Sequence, residues 1–371
     1  MTSPLFQPLS LRSLAVPNRV MVSPMCQYSA VDGNANDWHL FHITNLANSG
    51  AGLVCIEATH VEAIGRITPG CLGLYSDENE EALARVIGSV RRHSRSALAI
   101  QIAHAGRKAS SAEPWNGGML LPLEGGGWET VGPSPLPQLP GERPPRELDE
   151  AGIRRIVAAF ADAAMRADRI GFDAMELHGA HGYLIHEFLS PVSNQRTDRY
   201  GGSLENRMRF GLEVFDAVRA VWPEHKPLGM RVSATDWVER GLDIEQTIAF
   251  AQALKARGCD WIDVSSAGVA HDQKIPIGPG YQVHLAKAVR AETGMTTIAV
   301  GMITDPKQAE AIVANGEADM VALARGILYD PRWVWHAAAA LGGTVEAQVQ
   351  YWRCAPREAG RIFGDTRIGM R

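Results

Sequence analysis

Short apolar runs rich in β-branched residues recur along the chain, and each gives way to a longer stretch in which apolar positions return every three or four residues. The first pattern fits a strand buried on both faces and the second an amphipathic helix, so the alternation predicts repeated βα units and a parallel sheet. Eight strands are predicted, over Arg19–Ser23, Leu53–Glu57, Leu98–Ile102, Ala174–Leu177, Leu228–Val232, Trp261–Val264, Thr297–Val300 and Met320–Leu323. Between them, helical periodicity covers Glu80–Arg92, Glu150–Ile170, Leu204–Val221, Ile244–Lys255, Gln282–Thr293 and Pro306–Asn315. So many consecutive units favour an α/β fold of the closed (β/α)8 TIM-barrel type over an open doubly wound sheet. No GxGxxG follows the first strand, which disfavours a dinucleotide-binding Rossmann domain.

Two segments break the rhythm. Gly106–Pro145 holds eight Gly and eight Pro in forty residues, too many for a regular element. It is either a disordered insertion or, because the third βα loop of a barrel opens on the catalytic face, a loop capping the substrate side. The capping reading is the expectation taken here. After the eighth unit a helix is predicted over Pro331–Leu341, followed by a tail, 349–371, with Arg353, Arg357, Arg361, Arg367 and Arg371. Such a tail is either a solvated terminus or an arm that reaches a neighbouring subunit.

Length and composition narrow the picture. The 371 residues admit one barrel with insertions or two average domains, and the unbroken repeat favours one domain over 1–371. Lys and Arg total 36 against 41 Asp and Glu, a net charge of -5, the opposite of a nucleic-acid-binding balance. The five cysteines, Cys26, Cys55, Cys71, Cys259 and Cys354, form no close pairs in sequence, which argues for a reducing compartment rather than a disulfide framework. No stretch approaches the ~20 apolar residues that span a bilayer, and the N-terminus lacks a secretory pattern. A cytoplasmic protein with neither nucleic-acid nor membrane partners is expected.

In a barrel the residues just past each strand converge on one mouth, so their chemistry is the test. In chain order they are Pro24-Met25-Cys26-Gln27-Tyr28, Ala58-Thr59, His104-Ala105-Gly106-Arg107-Lys108, His178-Gly179-Ala180-His181-Gly182-Tyr183, Arg231 with Ser233, Ser265-Ser266, Gly301-Met302 and Ala324-Arg325, with Gln101 on the third strand. His178, His181 and Tyr183 admit three readings: a metal site, for which two imidazoles fall short of zinc's usual ligand count unless His186 joins them; structural histidines; or donors to a substrate oxygen with Tyr183 as proton donor. The third is preferred, and no metal is expected. Gly301-Met302 and Ala324-Arg325 offer backbone N–H groups and a guanidinium, suited either to a phosphate or merely to tight turns. Arg231 inside a barrel needs an anionic partner, a protein carboxylate or an anionic cofactor. Cys26 is either a small buried hydrophobe or a functional thiol, and its place at the first strand end beside Tyr28 favours function.

At this point the chain resembles the Old Yellow Enzyme family of flavin-dependent ene-reductases, in its thermophilic-like, xenobiotic-reductase-like branch. The likeness spans nearly the whole chain. It rests on LFQPLSLRSLAVPNRVMVSPMCQYSA at the start, NDWHLFH from Asn36, EATHVEAIGRITPG from Glu57, QIAHAGRK from Gln101, ELHGAHGYLIHEFLSP from Glu176, SNQRTDRYGGSLENRMRF from Ser193, and VGMIT from Val300.

The resemblance implies non-covalent FMN with NADPH or NADH as reductant, ping-pong kinetics, activated alkenes as substrates, and a homodimer or homotetramer. Carried over residue by residue, it implies that Pro24, Met25, Cys26, Ala58, Gln101 and Arg231 surround the isoalloxazine, and that Gly301 and Arg325, with Met302 and Ala324 beside them, hold the phosphate. His178 and His181 would bind the substrate's carbonyl or nitro oxygen, Tyr183 would protonate the α-carbon, and Cys26 would tune the flavin. Tyr28 and Trp115 would wall the pocket. VQYWR resembles the place where this branch inserts an arginine into its neighbour's site, which points to Arg353, although the chain continues from Cys354 to Arg371. The rivals are another FMN-barrel oxidoreductase and a metal-dependent barrel hydrolase using His178, His181 and His186.

Overall fold

In the computed structural model, which describes residues 3–366, eight parallel strands close into one barrel with neighbours in strict sequence order. They are β1 (Val20–Val22), β2 (Leu53–His60), β3 (Ala97–Ala103), β4 (Ala174–Gly179), β5 (Leu228–Ser233), β6 (Trp261–Ser265), β7 (Thr296–Ala299) and β8 (Met320–Leu323). Almost every strand residue is buried, as expected when helices cover the outside and side chains fill the inside. A hairpin of Leu9–Leu11 and Leu14–Val16 stoppers the N-terminal end, where Leu11 and Val16 join Met21, Leu53, Cys55, Ala99, Ala174, Trp261, Ile298 and Met320 in one interior cluster. Trp261 fits there because β5 has glycine beside it: a Cβ on Gly229 would lie 2.0 Å from the indole.

The period-two alternation of strands carries the same inward face toward the other end, where the apolar layer gives way to Gln101, Glu176, His178, Arg231, Ser233, Asp263 and Ser265. The register sets Gln101 beside Glu176, His178 beside Arg231, and Arg231 beside Asp263. A register shift between Ile56 and Ala58 aligns Ala58 with Gln101 at the rim.

The outer helices are α1 (Asp37–Ala47), α2 (Asp77–His93), α3 (Glu150–Ile170), a short α4 (Leu184–Leu189), α5 (Leu204–Val221), α6 (Ile244–Lys255), α7 (Val283–Thr293), α8 (Pro306–Ala314), a short α9 (Arg325–Tyr329) and α10 (Trp333–Leu341). Ser76, Asp149, Ser203, Asp243 and Asp305 start five of them by accepting a backbone N–H in the first turn. Three of these helices, α1, α4 and the five-residue α9, are absent from the sequence expectation. In α1, Trp38 and Phe41 face outward and blur the apolar stripe, whereas every residue of α4 is buried and no polar face marks it.

Residues 106–145 contain short 3-10 turns, and Val131–Gly132 pairs with Arg146–Glu147 just past the segment. The segment is fastened to its surroundings: Trp128 Nε1 donates to the Ile64 carbonyl at 2.9 Å, and the Arg107 guanidinium donates to the carbonyls of Leu136, Pro137 and Val269. After α10 the chain turns to the opposite end of the barrel, where residues 344–349, Trp352 and Phe363 line a cavity with Gly50–Gly52 and Ser94–Ala97, just ahead of β2 and β3. Arg367 and Arg371 lie outside the described residues. Among the described residues no helix is long and apolar enough to cross a membrane.

Candidate active site

The loop leaving β4 folds His178, His181 and Tyr183 into one aromatic cluster. The His178 ring stands edge-on to His181 at 5.1 Å between centroids and to Tyr183 at 4.9 Å. This requires a tight reversal through two consecutive left-handed residues, His181 at φ 58° and Gly182 at φ 73°. Any side chain on Gly182 would collide with the Gly268 carbonyl, 2.2 Å from its Cβ position. The strain at His181 is held by its surroundings. Ser233 Oγ accepts the His181 N–H at 2.9 Å, Lys108 Nζ donates to the His181 carbonyl at 2.8 Å, and Gly182 N–H donates to His186 Nδ1 at 2.8 Å.

His186 then reaches Asp236 Oδ1 with Nε2 at 2.9 Å. Both its ring nitrogens are thereby engaged, so it cannot join His178 and His181 as a third metal ligand. Burial raises the Asp236 carboxyl, but adjacent His186 and the donors of Ser190 and Leu242 outweigh it and hold the group below its ordinary value.

The protonation states suit oxygen binding. Burial, reinforced by the Arg231 charge, pushes both His178 and His181 well below the usual histidine range, so they are neutral at pH 7. The His178 Nδ1 accepts the Ala180 N–H at 3.4 Å, which assigns its proton to Nε2. His181 Nε2 lies 2.7 Å from Ser265 Oγ; with the hydroxyl donating, the proton sits on Nδ1. Burial also raises the Tyr183 phenol well above its ordinary value, helped by Cys26, Tyr28 and Cys71, and keeps it a proton donor. Lys108 Nζ sits 5.1 Å from the Tyr183 ring centroid, its own pKa pushed down to about 8 by burial.

Behind this cluster Arg231 is buried, its Nε 3.2 Å from Asp263 Oδ2. Neither that nitrogen nor either Asp263 oxygen has a hydrogen-bond partner. Glu176 accepts from Gln101 Nε2 at 2.8 Å and from Trp261 Nε1 at 3.2 Å, and burial with the neighbouring Asp263 pushes it up to about 8. Of the two anionic partners the sequence left open for Arg231, a protein carboxylate is thus present but incompletely engaged.

The remaining candidates fall at the same rim, with one exception. Pro24, Met25 and Cys26 follow β1 half-buried, Tyr28 takes φ 52° and meets Trp115 edge-on at 5.6 Å, and Ala58 lies near the end of β2. Gly301 at φ 124° and Met302 at φ 49° follow β7, while Ala324 and the exposed Arg325 follow β8. Arg353 is exposed on the turn Val349–Cys354, beside the cavity at the barrel's other end, so it does not reach the mouth of its own chain.

These residues fit FMN: a buried guanidinium at Arg231 whose Nε makes no hydrogen bond, an amide at Gln101 oriented by Glu176, and left-handed backbone at Gly301 and Met302 with a cation at Arg325 supply donors for an anionic isoalloxazine edge and a phosphate. Sequence reasoning overlooked Glu176, Asp236, Asp263 and Cys71. Glu176 and Asp263 become visible once strand alternation and register are known, because each faces a residue already singled out, whereas Asp236, on the loop after β5, shows itself only through its contact with His186.

A family model described as NADH:flavin oxidoreductase / NADH oxidase family matches residues 4–342. The chain is 44% identical over 355 residues to an NADPH dehydrogenase of Geobacillus sp. (strain WCH70), covering 95% of this chain and 99% of that protein. It is 42% identical to an NADPH dehydrogenase of Bacillus subtilis (strain 168), with the same coverage. Among solved structures, morphinone reductase superposes with a TM-score of 0.75 at 28% identity, covering 94% of this chain and 93% of that one. A 2-naphthoyl-CoA reductase complex gives 0.81 at 26% identity over 92% of this chain, which spans only 52% of that chain's length.

Proposed function

The chain belongs to the NADH:flavin oxidoreductase / NADH oxidase family, that of Old Yellow Enzyme, and from this premise we propose that it is an ene-reductase acting on α,β-unsaturated carbonyl and nitro compounds. Family membership makes it an FMN-dependent NAD(P)H oxidoreductase of the NADPH dehydrogenase type. The observation that carries the finer reading is the cluster of two neutral imidazoles and one protonated phenol beside Arg231.

When bound, FMN would supply the redox chemistry, hydride transfer between NAD(P)H and the alkene β-carbon, and because both would use the same pocket the kinetics would be ping-pong. Pro24, Met25, Cys26, Ala58, Gln101 and Arg231 hold its ring system, and Gly301, Met302, Ala324 and Arg325 its phosphate. His178 through Nε2–H and His181 through Nδ1–H donate to the carbonyl or nitro oxygen and stabilise the charge that develops there. Tyr183 Oη delivers a proton to the α-carbon. Arg231 offsets negative charge at the inner edge of the site, a role Asp263 leaves open because its own contact with the guanidinium is incomplete. Tyr28 and Trp115, with the 106–145 segment, wall the substrate side. Arg353, remote from its own mouth, is offered to a neighbouring subunit's site in a homodimer or homotetramer.

Phenols imitate the enolate-like oxygen and give a charge-transfer band with FMN, so they test the imidazoles directly. His178→Ala and His181→Ala should each weaken phenol binding roughly tenfold or more, the worth of a lost hydrogen bond to a charged oxygen. Unchanged affinity in both variants would remove the oxygen-binding role.

A further inference from the structure

The cysteines are scattered in sequence, but two of them meet in space. Cys26, past β1, and Cys71, past β2, share a small cluster: Cys71 belongs to it with Ile67, Ala105 and Ala109, and Cys26, Tyr28 and Tyr183 pack against it. The two loops are pinned together, since Ala30 N–H donates to the Gly70 carbonyl at 2.8 Å and a Cβ on Gly70 would come within 2.5 Å of the Tyr28 carbonyl oxygen.

The Cys26 side chain packs against the cluster that holds the Cys71 sulfur and is in contact with it. Cys71 Sγ, fully buried, accepts the Thr68 N–H at 3.3 Å and lies 3.4 Å from Thr68 Oγ1, so Thr68 holds the sulfur at two points. Burial raises the Cys71 thiol, yet these contacts outweigh it and hold the group below its ordinary value, whereas the contact with Cys71 and burial push Cys26 well up. Cys71 is thus equipped to carry the negative charge of the pair, and half-buried Cys26 is the member that opens toward the mouth. Nothing in the proposed alkene reduction uses Cys71.

We propose that Cys26 and Cys71 are a dithiol site that a peroxide, either hydrogen peroxide or an organic hydroperoxide, oxidises to an intramolecular disulfide at the rim of the active site. Cys26 Sγ attacks the O–O bond, the S–O bond forms as the O–O bond breaks, and the Cys26 thiol proton goes to the departing oxygen, which leaves as water or an alcohol. Cys71 Sγ then attacks the sulfenic sulfur, the S–S bond forms as the S–O bond breaks, and the hydroxyl leaves as water with the proton of the Cys71 thiol. In sum two thiols lose two electrons and two protons, and the peroxide is reduced to water and a second water or an alcohol. Thr68 is the positioning residue, because its N–H and its hydroxyl both meet Cys71 Sγ and hold it facing Cys26.

The test treats the FMN-loaded enzyme with hydrogen peroxide and, separately, tert-butyl hydroperoxide. It is followed by denaturation, alkylation of remaining thiols and peptide mapping without reductant. The expected result is a peptide linking Cys26 to Cys71, a loss of two alkylatable thiols, and reversal by dithiothreitol. Cys71→Ser should leave the Cys26 sulfenic acid without a partner, so that dimedone captures it ~10-fold more than in the wild type. Wild-type protein in which Cys26 is found only as sulfenic or sulfinic acid, or in which oxidation is confined to exposed Cys354, would overturn the proposal. Because the linked peptide is sought in the wild type, the outcome does not depend on the variant folding.

Discussion

Replacing Tyr183 with Phe removes one oxygen atom from the mouth of the barrel and leaves the ring contacts in place. The edge-on packing against His178 at 4.9 Å and the Lys108 ammonium 5.1 Å from the ring centroid depend on the ring and not on the hydroxyl. Global stability should therefore change by less than about 1 kcal/mol. The chemical consequence is larger. A positioned general acid contributes roughly 10²–10⁴-fold, or about 3–5 kcal/mol of barrier, and burial keeps this phenol protonated throughout the neutral range. The two imidazoles cannot substitute, being neutral and occupied in donating to the oxygen. Anaerobic stopped-flow separates the half-reactions: flavin bleaching by NADPH should proceed nearly as in the wild type, while recovery of the flavin band with 2-cyclohexenone should slow by two to four orders of magnitude. Equal slowing of both halves would mean that Tyr183 acts through pocket shape and would refute its role as acid.

Two further predictions concern stability. Gly182→Ala and Gly171→Ala both force a left-handed residue, at φ 73° and 94°, but only at Gly182 does the new Cβ meet backbone, 2.2 Å from the Gly268 carbonyl, with nothing within 4 Å at Gly171. Chemical denaturation should show Gly182→Ala the more destabilised by ~1 kcal/mol or more beyond the shared backbone cost, and equal losses would mean the reversal at His181 is loosely packed. Glu187 is fully buried, with Oε1 accepting the Arg107 N–H at 2.8 Å and Oε2 unpartnered, and burial pushes its pKa up from 4.5 to about 8. The folded protein therefore holds a proton that the unfolded chain releases, so this group's contribution is full below about pH 4.5 and is lost as pH rises to about 8. Glu187→Gln cannot titrate, and its stability relative to wild type should climb between those limits and then level off. A difference independent of pH would place the wild-type pKa near its ordinary value.

The barrel was legible because its signals are local. Strands buried on both faces read as short apolar runs, and α3, α5 and α6 have the predicted bounds because Asp149, Ser203 and Asp243 cap their starts. The imidazoles and Tyr183 were legible for the same reason, since all three sit on one loop. The contacts that prepare them were not. Arg231 with Asp263, Gln101 with Glu176, and His186 with Asp236 are pairings across strands and loops whose register only the closed barrel fixes. The pairing of Cys26 with Cys71 lies farther still from any sequence signal: the first strand end marks Cys26 alone, and an argument from spacing treats the two as unrelated. Arg353 shows the converse, a residue singled out by its motif that the fold of a single chain carries away from the mouth.

The central claim is that this barrel mouth passes reducing equivalents from NAD(P)H through FMN to an activated alkene. An anaerobic visible spectrum of the purified protein tests it most directly, taken before NADPH, after NADPH, and after 2-cyclohexenone. The account predicts a flavin band that bleaches with the nucleotide and returns in full with the enone. A band that bleaches and stays bleached would contradict the ene-reductase reading while leaving the family intact, and a protein that takes up no FMN would contradict the assignment of Gln101, Arg231, Gly301 and Arg325.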